Sequence, residues 1–490
     1  VLTNLNSAAK KNSISSSYSS NTLASFLSRL EYKFNNRYLL TLNFRADGSS
    51  QFGPDKRWGY FPSGAVAWII TEENFMKDYS NIVSYLKLRG SVGKTGSQNL
   101  GAYDWRTLMG SATYNGAAGI VPSSLGNDIL QWEEQIQKEV GLDYGFWDDR
   151  IRGTLGYYQK KVDNLLYSDP VPTSSSFSSV YQNIGSLKNR GIEFDVRVDI
   201  IKNVQKDLTW NVDFNIARNR TTLEKLNSSD GYFGGGAYDY FKIEEGGETG
   251  RFYGYKDAGR LFMTNEELVG LKTIDPKTGT LKYYRDDYNY ERQGDVYIMD
   301  LDGDGQITAD GDRTVIGNAN PDFFGGFGST LYWKGLMLNA VFSYSVGGDR
   351  FWDEEKNSSG DMNVYNTSNR ILDSWTVNPG VNASYPRAMY YGWGSNSIIT
   401  DRYIHDASYL RMTALNLSYR LPKHLYKNSI LNAVEFTFQA TNLFTWTKYP
   451  GMDPQGNFST TYSAFYNMGI DYSTYPSART YNFGIKLTLK

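Results

Sequence analysis

Residues 191–200 read Gly191-Ile-Glu-Phe-Asp-Val-Arg-Val-Asp-Ile200. Strand side chains alternate with period two, so Ile192, Phe194, Val196, Val198 and Ile200 share one face and Glu193, Asp195, Arg197 and Asp199 the other. One face is apolar and the other is ionised. The pattern returns along the chain. Tyr38, Leu40, Leu42, Phe44 and Ala46 oppose Thr41, Asn43, Arg45 and Asp47. Leu208, Trp210, Val212, Phe214 and Ile216 oppose Thr209, Asn211, Asp213 and Asn215. Val434, Phe436, Phe438 and Ala440 oppose Glu435, Thr437 and Gln439, and the closing run Tyr481, Phe483, Ile485, Leu487 and Leu489 opposes Asn482, Gly484, Lys486 and Thr488. A soluble sandwich hides its apolar faces against each other. Repetition in long paired strands suits instead a barrel whose apolar face meets lipid and whose charged face lines a wet lumen.

Extending this reading predicts 13 strands, over 26–35, 37–47, 59–71, 83–94, 132–145, 150–162, 190–201, 207–219, 323–333, 336–346, 407–421, 432–443 and 479–490. Short connections (Asn35-Asn36, Phe146 to Arg150, 202–206, Trp333 to Gly335) and the modest 72–82 and 422–431 alternate with long ones over 95–131, 163–189, 220–322, 347–406 and 444–478. Segment 48–58 is the one exception. Short turns on one side and long loops on the other is the habit of outer-membrane barrels. Thirteen is an odd count, and an unpaired edge in lipid leaves backbone groups unsatisfied. The expectation is therefore an all-β, transmembrane antiparallel barrel of which these residues form the C-terminal part, with further strands upstream of Val1.

Composition agrees. Of 490 residues, Tyr (39), Phe (25) and Trp (11) make 15%, suiting interfacial girdles or sugar-stacking surfaces. A formal charge of −2 gives no bulk basic signal for nucleic acid. There is no cysteine, which excludes disulfides and thiolate chemistry, and His405 and His424 are the only histidines, too few for a His-rich metal site. No run approaches the roughly 20 apolar residues of a membrane helix. Val1 to Ser20 is polar and Ser-rich, with no leader pattern.

Five stretches, in order, resemble the SusC/RagA-type family of TonB-linked outer-membrane transporters of Bacteroidota. They are Tyr38 to Ser50 with Arg57-Trp-Gly-Tyr-Phe-Pro-Ser63 and Trp68; Leu86-Lys-Leu-Arg-Gly-Ser-Val-Gly-Lys-Thr-Gly96; Asp300-Leu-Asp-Gly-Asp-Gly305 leading to Asp312-Arg-Thr-Val-Ile-Gly317, Pro321 and Gly325-Gly326; Asp406-Ala-Ser-Tyr-Leu-Arg-Met412 running to Tyr419-Arg-Leu-Pro422; and Thr441-Asn-Leu-Phe444 with Tyr449-Pro-Gly-Met-Asp-Pro454. The resemblance implies a 22-stranded barrel, of which these are the last 13 strands, plugged by an upstream domain that contacts TonB. It implies a bacterial outer-membrane location, a SusD-like surface lipoprotein as lid, and import of oligosaccharide or peptide with no bond made or broken. Glycan is the first expectation, as the family's commonest cargo. The chain departs from the family's habit of ending on an aromatic, since it ends on Lys490.

Two groups of residues are singled out. Asp300, Asp302 and Asp304, followed by Gly305, resemble the first half of a calcium loop, in which alternate carboxylates gather around the ion. Gln306 lies within the run, Ile307 takes the place of the apolar anchor and Thr308 could act through water. The twelfth position is Gly311, so Asp310 or Asp312 would supply the late carboxylate after a one-residue adjustment. A structural Ca2+ would stiffen the loop. The alternative is a solvated Asp/Gly turn. Aromatic residues Tyr232, Phe233, Tyr238, Tyr240 and Phe241, and Tyr390, Tyr391 and Trp393, could stack on sugar, pack against the lid or form a loop core. Glu133-Glu134 and Asp148-Asp149 read as solvated charge, because adjacency puts them on opposite strand faces or in a turn. The lumenal charges Glu193, Asp195, Arg197 and Asp199 fix hydration or dock the plug. The competing functions are an adhesin or passive pore, a barrel enzyme such as a lipase, and a soluble all-β binding protein.

Overall fold

The computed structural model describes residues 18–489 except 116, 228–231, 235–239, 265–266, 268–272, 275–280, 283–291, 361–366, 381–382, 389–395, 397, 428–429 and 457–467. Thirteen strands form one sheet: β1 (Leu23–Phe34), β2 (Tyr38–Ser49), β3 (Trp58–Ile69), β4 (Val83–Ser97), β5 (Glu133–Phe146), β6 (Ile151–Pro170), β7 (Ser179–Asn203), β8 (Leu208–Leu226), β9 (Phe323–Trp333), β10 (Leu336–Val346), β11 (Tyr409–Arg420), β12 (Leu431–Thr447) and β13 (Thr480–Leu489). Each strand pairs with its neighbour in sequence. All twelve pairings are antiparallel. β1 and β13 are the two edges of the sheet.

The turns are made where the residues allow them. Asn35 and Asn36 have φ of 48° and 58°, and Lys334 and Gly335 have 48° and 85°. Two successive left-handed residues match the right-handed twist of the flanking strands. On the outward face two tyrosines lie over glycines: Tyr144 and Tyr344 donate to the carbonyls of Asp195 and Asn215 at 2.9 Å each. A Cβ on Gly153 or Gly325 would come within 2.0 or 2.1 Å of those same carbonyl oxygens, so only glycine fits beneath each ring.

The outward face is apolar and open. Val66, Val140, Ile192 and Phe483 are all at least half exposed, which in water would be a large aggregation surface and in lipid is a solvated one. Aromatic side chains gather at both ends of this face. Phe34 stacks on Tyr38 and Tyr144 contacts Phe146 near the turns; Phe26 stacks on Trp58 and Phe444 contacts Trp446 near the loops. These two levels are the girdles expected where a barrel leaves the hydrocarbon.

The strand count and order agree with the sequence reading, but four strands run further. β6 and β7 extend through most of the expected 163–189 loop, leaving a connection of only 171–178. β8 reaches Leu226 and β12 reaches Thr447. The reason is a cluster above the membrane, Ile184, Leu187, Leu223, Leu226 and Ile243 with Val162 and Leu165 packed against it. Register shifts between Val162 and Leu166 and between Leu223 and Lys225 carry the strands into it. A bulge moves later side chains to the other face, so the alternation read from sequence stops there although the strand does not.

Two further buried clusters lie in the loops. Phe241, Phe252, Ala319, Phe351, Ile399, Tyr403 and Ile470 form one, and Leu261, Phe262, Val296, Ile298 and Ile307 the second. Another cluster, Phe52, Phe61, Leu100, Leu130 and Trp132, draws Phe61 from β3. Asp349–Trp352 pairs with Ile404–Asp406 and, in parallel, with Ile470–Asp471, tying two long loops together. The loops thus make a packed platform on the long-loop end of the sheet.

The sidedness is testable. Val140→Arg, at the middle of the outward face of β5, should lower stability by about 2–4 kcal/mol in urea titrations in lipid. Gln137→Lys, on the inward face of the same strand, should change it by less than about 1 kcal/mol.

Candidate functional site

Two regions carry the polar chemistry: the inward face of the sheet and the loop platform. On the inward face of β4–β8 the charges are largely paired. Lys87 lies 3.1 Å from Asp143, and Arg89 bridges Asp143, at 3.2 Å, and Glu139. Arg152 lies 3.3 Å from Asp199, and Asp195 accepts a hydrogen bond from Thr154. Register makes this wall continuous, with Thr154 opposite Asp195 and Gly156 opposite Glu193. A recess of about 500 Å³ opens among Arg89, Glu139, Tyr158, Lys160, Asn189 and Glu193. Midway along β9–β13 the inward side chains are amides, hydroxyls and small residues, while Arg411, Arg420, Glu435 and Lys486 lie nearer the strand ends. Asn339 donates to Thr330 and Asn416 to Asn339, each at 2.9 Å.

The adjacent carboxylates resolve as ties. Glu134 pairs with Lys94 at 2.6 Å, and Glu133 accepts from the Leu166 amide at 3.3 Å, so Glu133 is not simply solvated. Asp149 is hydrogen-bonded to Ser84, which closes the turn with Asp148.

In the platform, carboxylate oxygens of Asp300, Asp302 and Asp304 lie within 4.8 Å of one another. The turn that gathers them uses Gly303 and Gly305 at φ of 77° and 83°. Asp300 accepts from the amides of Gly303 and Gly305, and Asp304 from that of Gln306. Ile307 is buried in the second loop core. Of the two late carboxylates, Asp312 is buried and Asp310 is exposed. Asp312 accepts from the amides of Leu301 at 2.6 Å and Thr308 at 2.7 Å, so it closes the loop on itself. Burial, with Asp302 and Asp300 nearby, holds its carboxyl above the usual carboxylate range despite those two hydrogen bonds. The three clustered carboxylates could hold a hard divalent cation.

The aromatic candidates divide. Tyr240 donates to Asp353 at 2.5 Å and packs edge-on to Phe351, so it belongs to the loop core. Phe241 is buried in that core. Tyr232 and Phe233 lie in a short strand, Tyr232–Gly234, paired with Lys242–Glu244. Their side chains lie outside what is described, as do residues Tyr238, Tyr390, Tyr391 and Trp393.

The sequence reading did not foresee the buried ion pairs that hold the platform. Arg411 donates to Asp453 at 2.6 Å, both nearly fully buried, and also to Gln455 and Thr445. Asp295 takes Arg387 at 2.6 Å and Asn396 at 2.8 Å. Glu355 accepts from Arg370 at 2.9 Å and Tyr385 at 3.1 Å and lies 2.6 Å from His405, which places this histidine in a structural tie. One signal was present: Arg411 and Asp453 stand in the fourth and fifth of the quoted stretches, 42 residues apart, and the fold brings them together.

A wide antiparallel wall, apolar toward lipid and polar toward a lumen, under a platform of packed loops, defines an outer-membrane β-barrel receptor. The chain belongs to the TonB dependent receptor-like, beta-barrel family, whose model matches residues 2–387. It is 33% identical to TonB-dependent receptor P3 of Formosa agariphila over 96% of the chain and 46% of that protein. It is 32% identical to TonB-dependent receptor SusC of Bacteroides thetaiotaomicron over 95% of the chain and 44% of that protein. Among solved structures, the RagAB peptide transporter superposes with a TM-score of 0.76 at 27% identity, over 99% of this chain and 50% of that one. The chain therefore spans about half the length of the relatives it matches.

Arg411→Met should leave Asp453 buried without its cation. Hydrogen exchange over 449–456 and 470–478 should accelerate by the equivalent of about 3–5 kcal/mol. The wild-type loop should resist acid. Burial raises the Asp453 carboxyl, but hydrogen bonds from Arg411 and from the Gln455 and Ser477 amides outweigh it and hold the group below its ordinary range. Its stabilisation is complete above the ordinary carboxylate range and is lost only as pH falls through that lowered value.

Proposed function

We propose that the chain is the last thirteen strands of a 22-stranded barrel that imports oligosaccharides across the bacterial outer membrane. Import is TonB-dependent, driven through a plug domain, and a SusD-like surface lipoprotein closes the loop platform. The observation that carries the proposal is the pairing of a lipid-facing barrel wall with family membership and extended likeness to SusC and to the RagAB transporter. The chemistry asked of the protein is binding and release. Its polar groups are tied to one another in ion pairs and caps, which suits a passage rather than a reaction centre. RagAB's description as a peptide transporter makes peptide the second reading of the cargo.

Deleting the gene in its own bacterium should abolish growth on an oligosaccharide as sole carbon source while leaving growth on its monosaccharide intact. Loss confined to peptides would replace the first reading by the second. Affinity purification of the full-length receptor from solubilised membranes should bring down one abundant surface lipoprotein.

We propose as well that the Asp300–Asp304 turn binds Ca2+ as a structural ion. Converging carboxylates and a late acid already buried beside them support this reading. Asp312 has a raised carboxyl, so without a cation the loop should gain order as pH falls through the raised value. Calcium should reverse that trend by favouring the ionised cluster. Added Ca2+ should slow proteolysis of the 292–322 segment. Asp302→Asn with Asp304→Asn should remove the protection.

A further inference from the structure

The inward residues of β8–β13 form a row that no charge interrupts. Register places Asn211 opposite Thr330, Thr330 opposite Asn339, Asn339 opposite Asn416, Asn416 opposite Gln439 and Gln439 opposite Asn482. Six neighbouring strands thus present five amides and a hydroxyl side by side, about 4.8 Å apart. The row crosses the wall obliquely. It starts near the turn end of β8, with Asn211 three residues after Leu208, and ends near the loop end of β13, with Asn482 two residues after Thr480. Strands that tilt by about 35–45° make any such perpendicular row climb the barrel.

The groups are poised to hydrogen-bond. Thr330, Asn339 and Asn416 are chained by two sideways bonds of 2.9 Å, which fix the orientation of their amides. Gln439 and Asn482 are exposed, and among the described residues neither side chain has a protein partner. The row above it starts at the carboxylate Asp213, opposite Gly328, and is small and flat from there, Gly328, Val341, Ala414, Thr441 and Thr480. Charge adjoins the row at its β8 end, where Asp199 is opposite Asn211 and Asp213 follows it inward, and otherwise returns near the strand ends. Arg411 is closed onto Asp453, and Arg420, Glu435 and Lys486 are register neighbours beside the turns.

The other half of the wall offers an anion little. Lys87, Arg89 and Arg152 are each paired with a carboxylate. Among the described residues Lys160 makes no ion pair within 4 Å, and it shares its recess with Glu139 and Glu193. A polyanion passing this wall would leave its hydration shell without a row of cations to replace it, and a desolvated charge left unpaired is costly. An uncharged chain rich in hydroxyls would exchange water for amides one step at a time. Each contact would be strong enough to hold and weak enough to release, as conduction requires.

We propose that the row from Asn211 to Asn482 is a hydrogen-bonding track for cargo, and that the cargo is an uncharged oligosaccharide rather than a uronate-bearing or sulfated one. The proposal rests on the import reading above and narrows its substrate class.

The test uses the full-length receptor in its own cell. The gene deletion is grown on neutral oligosaccharides (maltohexaose, xylohexaose, mannohexaose) and on anionic ones (oligogalacturonate, oligoalginate, sulfated galactan oligosaccharides). Loss of growth on a neutral sugar is expected. Loss confined to an anionic sugar overturns the uncharged-cargo proposal and leaves glycan import standing. Loss confined to peptides, or on none of these substrates, overturns the oligosaccharide reading and the proposal with it. Gln439→Glu with Asn482→Asp should then lower the initial uptake rate of the neutral sugar about tenfold, the scale of unpaired polar groups in a passage. Gln439→Asn with Asn482→Gln, which keeps the amides, should retain most of the rate. Surface abundance and heat-modifiable migration of each variant, matched to wild type, exclude a folding defect. Uptake unchanged by the two carboxylates in a normally assembled receptor overturns the track.

Discussion

Everything in this structure follows from the need to satisfy backbone hydrogen bonds where no water can reach them. In hydrocarbon each unpaired amide or carbonyl costs several kcal/mol, so a sheet can cross only if each strand is paired along its length. Twelve consecutive antiparallel pairings meet that need within the sheet. Pairing also dictates the side chains. Once the backbone is extended and paired, successive residues must face lipid and lumen in turn, and the composition of each face is set by its solvent. Val140 and Ile192 are apolar because lipid surrounds them; Glu139 and Glu193, one position away, are carboxylate residues because they face the wet lumen.

The same constraint divides the molecule into regions held by different forces. Among the described residues the membrane wall contributes little to buried clusters, since its apolar face is solvated by lipid and its polar face by water. The loops, which stand in water, must bury apolar surface to hold a shape. They do so with Phe252, Phe351 and Tyr403 at one centre and with Phe262, Ile298 and Ile307 at another. Buried ion pairs such as Arg411–Asp453 then lock segments distant in sequence. Pairs of this kind add little net stability over an apolar substitute, yet removing one member is severe, so they specify one arrangement of the loops among many.

Alternation made the wall legible: Glu193-Phe-Asp-Val-Arg197 needed no coordinates to be read as one wet and one oily face, and the paired asparagines at 35–36 marked a hairpin. The reading faltered where alternation is broken for a physical reason. At Val162 to Leu166 and Leu223 to Lys225 bulges shift the faces, and the strands continue into a cluster above the membrane that period-two counting cannot see. The clustering of carboxylates in the Asp300-x-Asp-Gly-Asp-Gly305 turn was legible because their spacing is local. The choice between Asp310 and Asp312 was not, because it depends on which carboxylate the loop core draws inward.

The sequence by itself determined the strands, their order and the solvent that each face meets, because these depend on neighbours two residues apart and on turns a few residues long. It also carried the stretches that mark the family. Only the tertiary structure decided which residues meet across the sheet and between loops. The row from Asn211 to Asn482 draws one residue from each of six strands over 272 positions of chain, and it exists only through register. Tyr240 became a core residue rather than a ligand face because Asp353 and Phe351, more than 100 residues away, close over it. Such contacts are set by the packing of the whole, which no local pattern encodes.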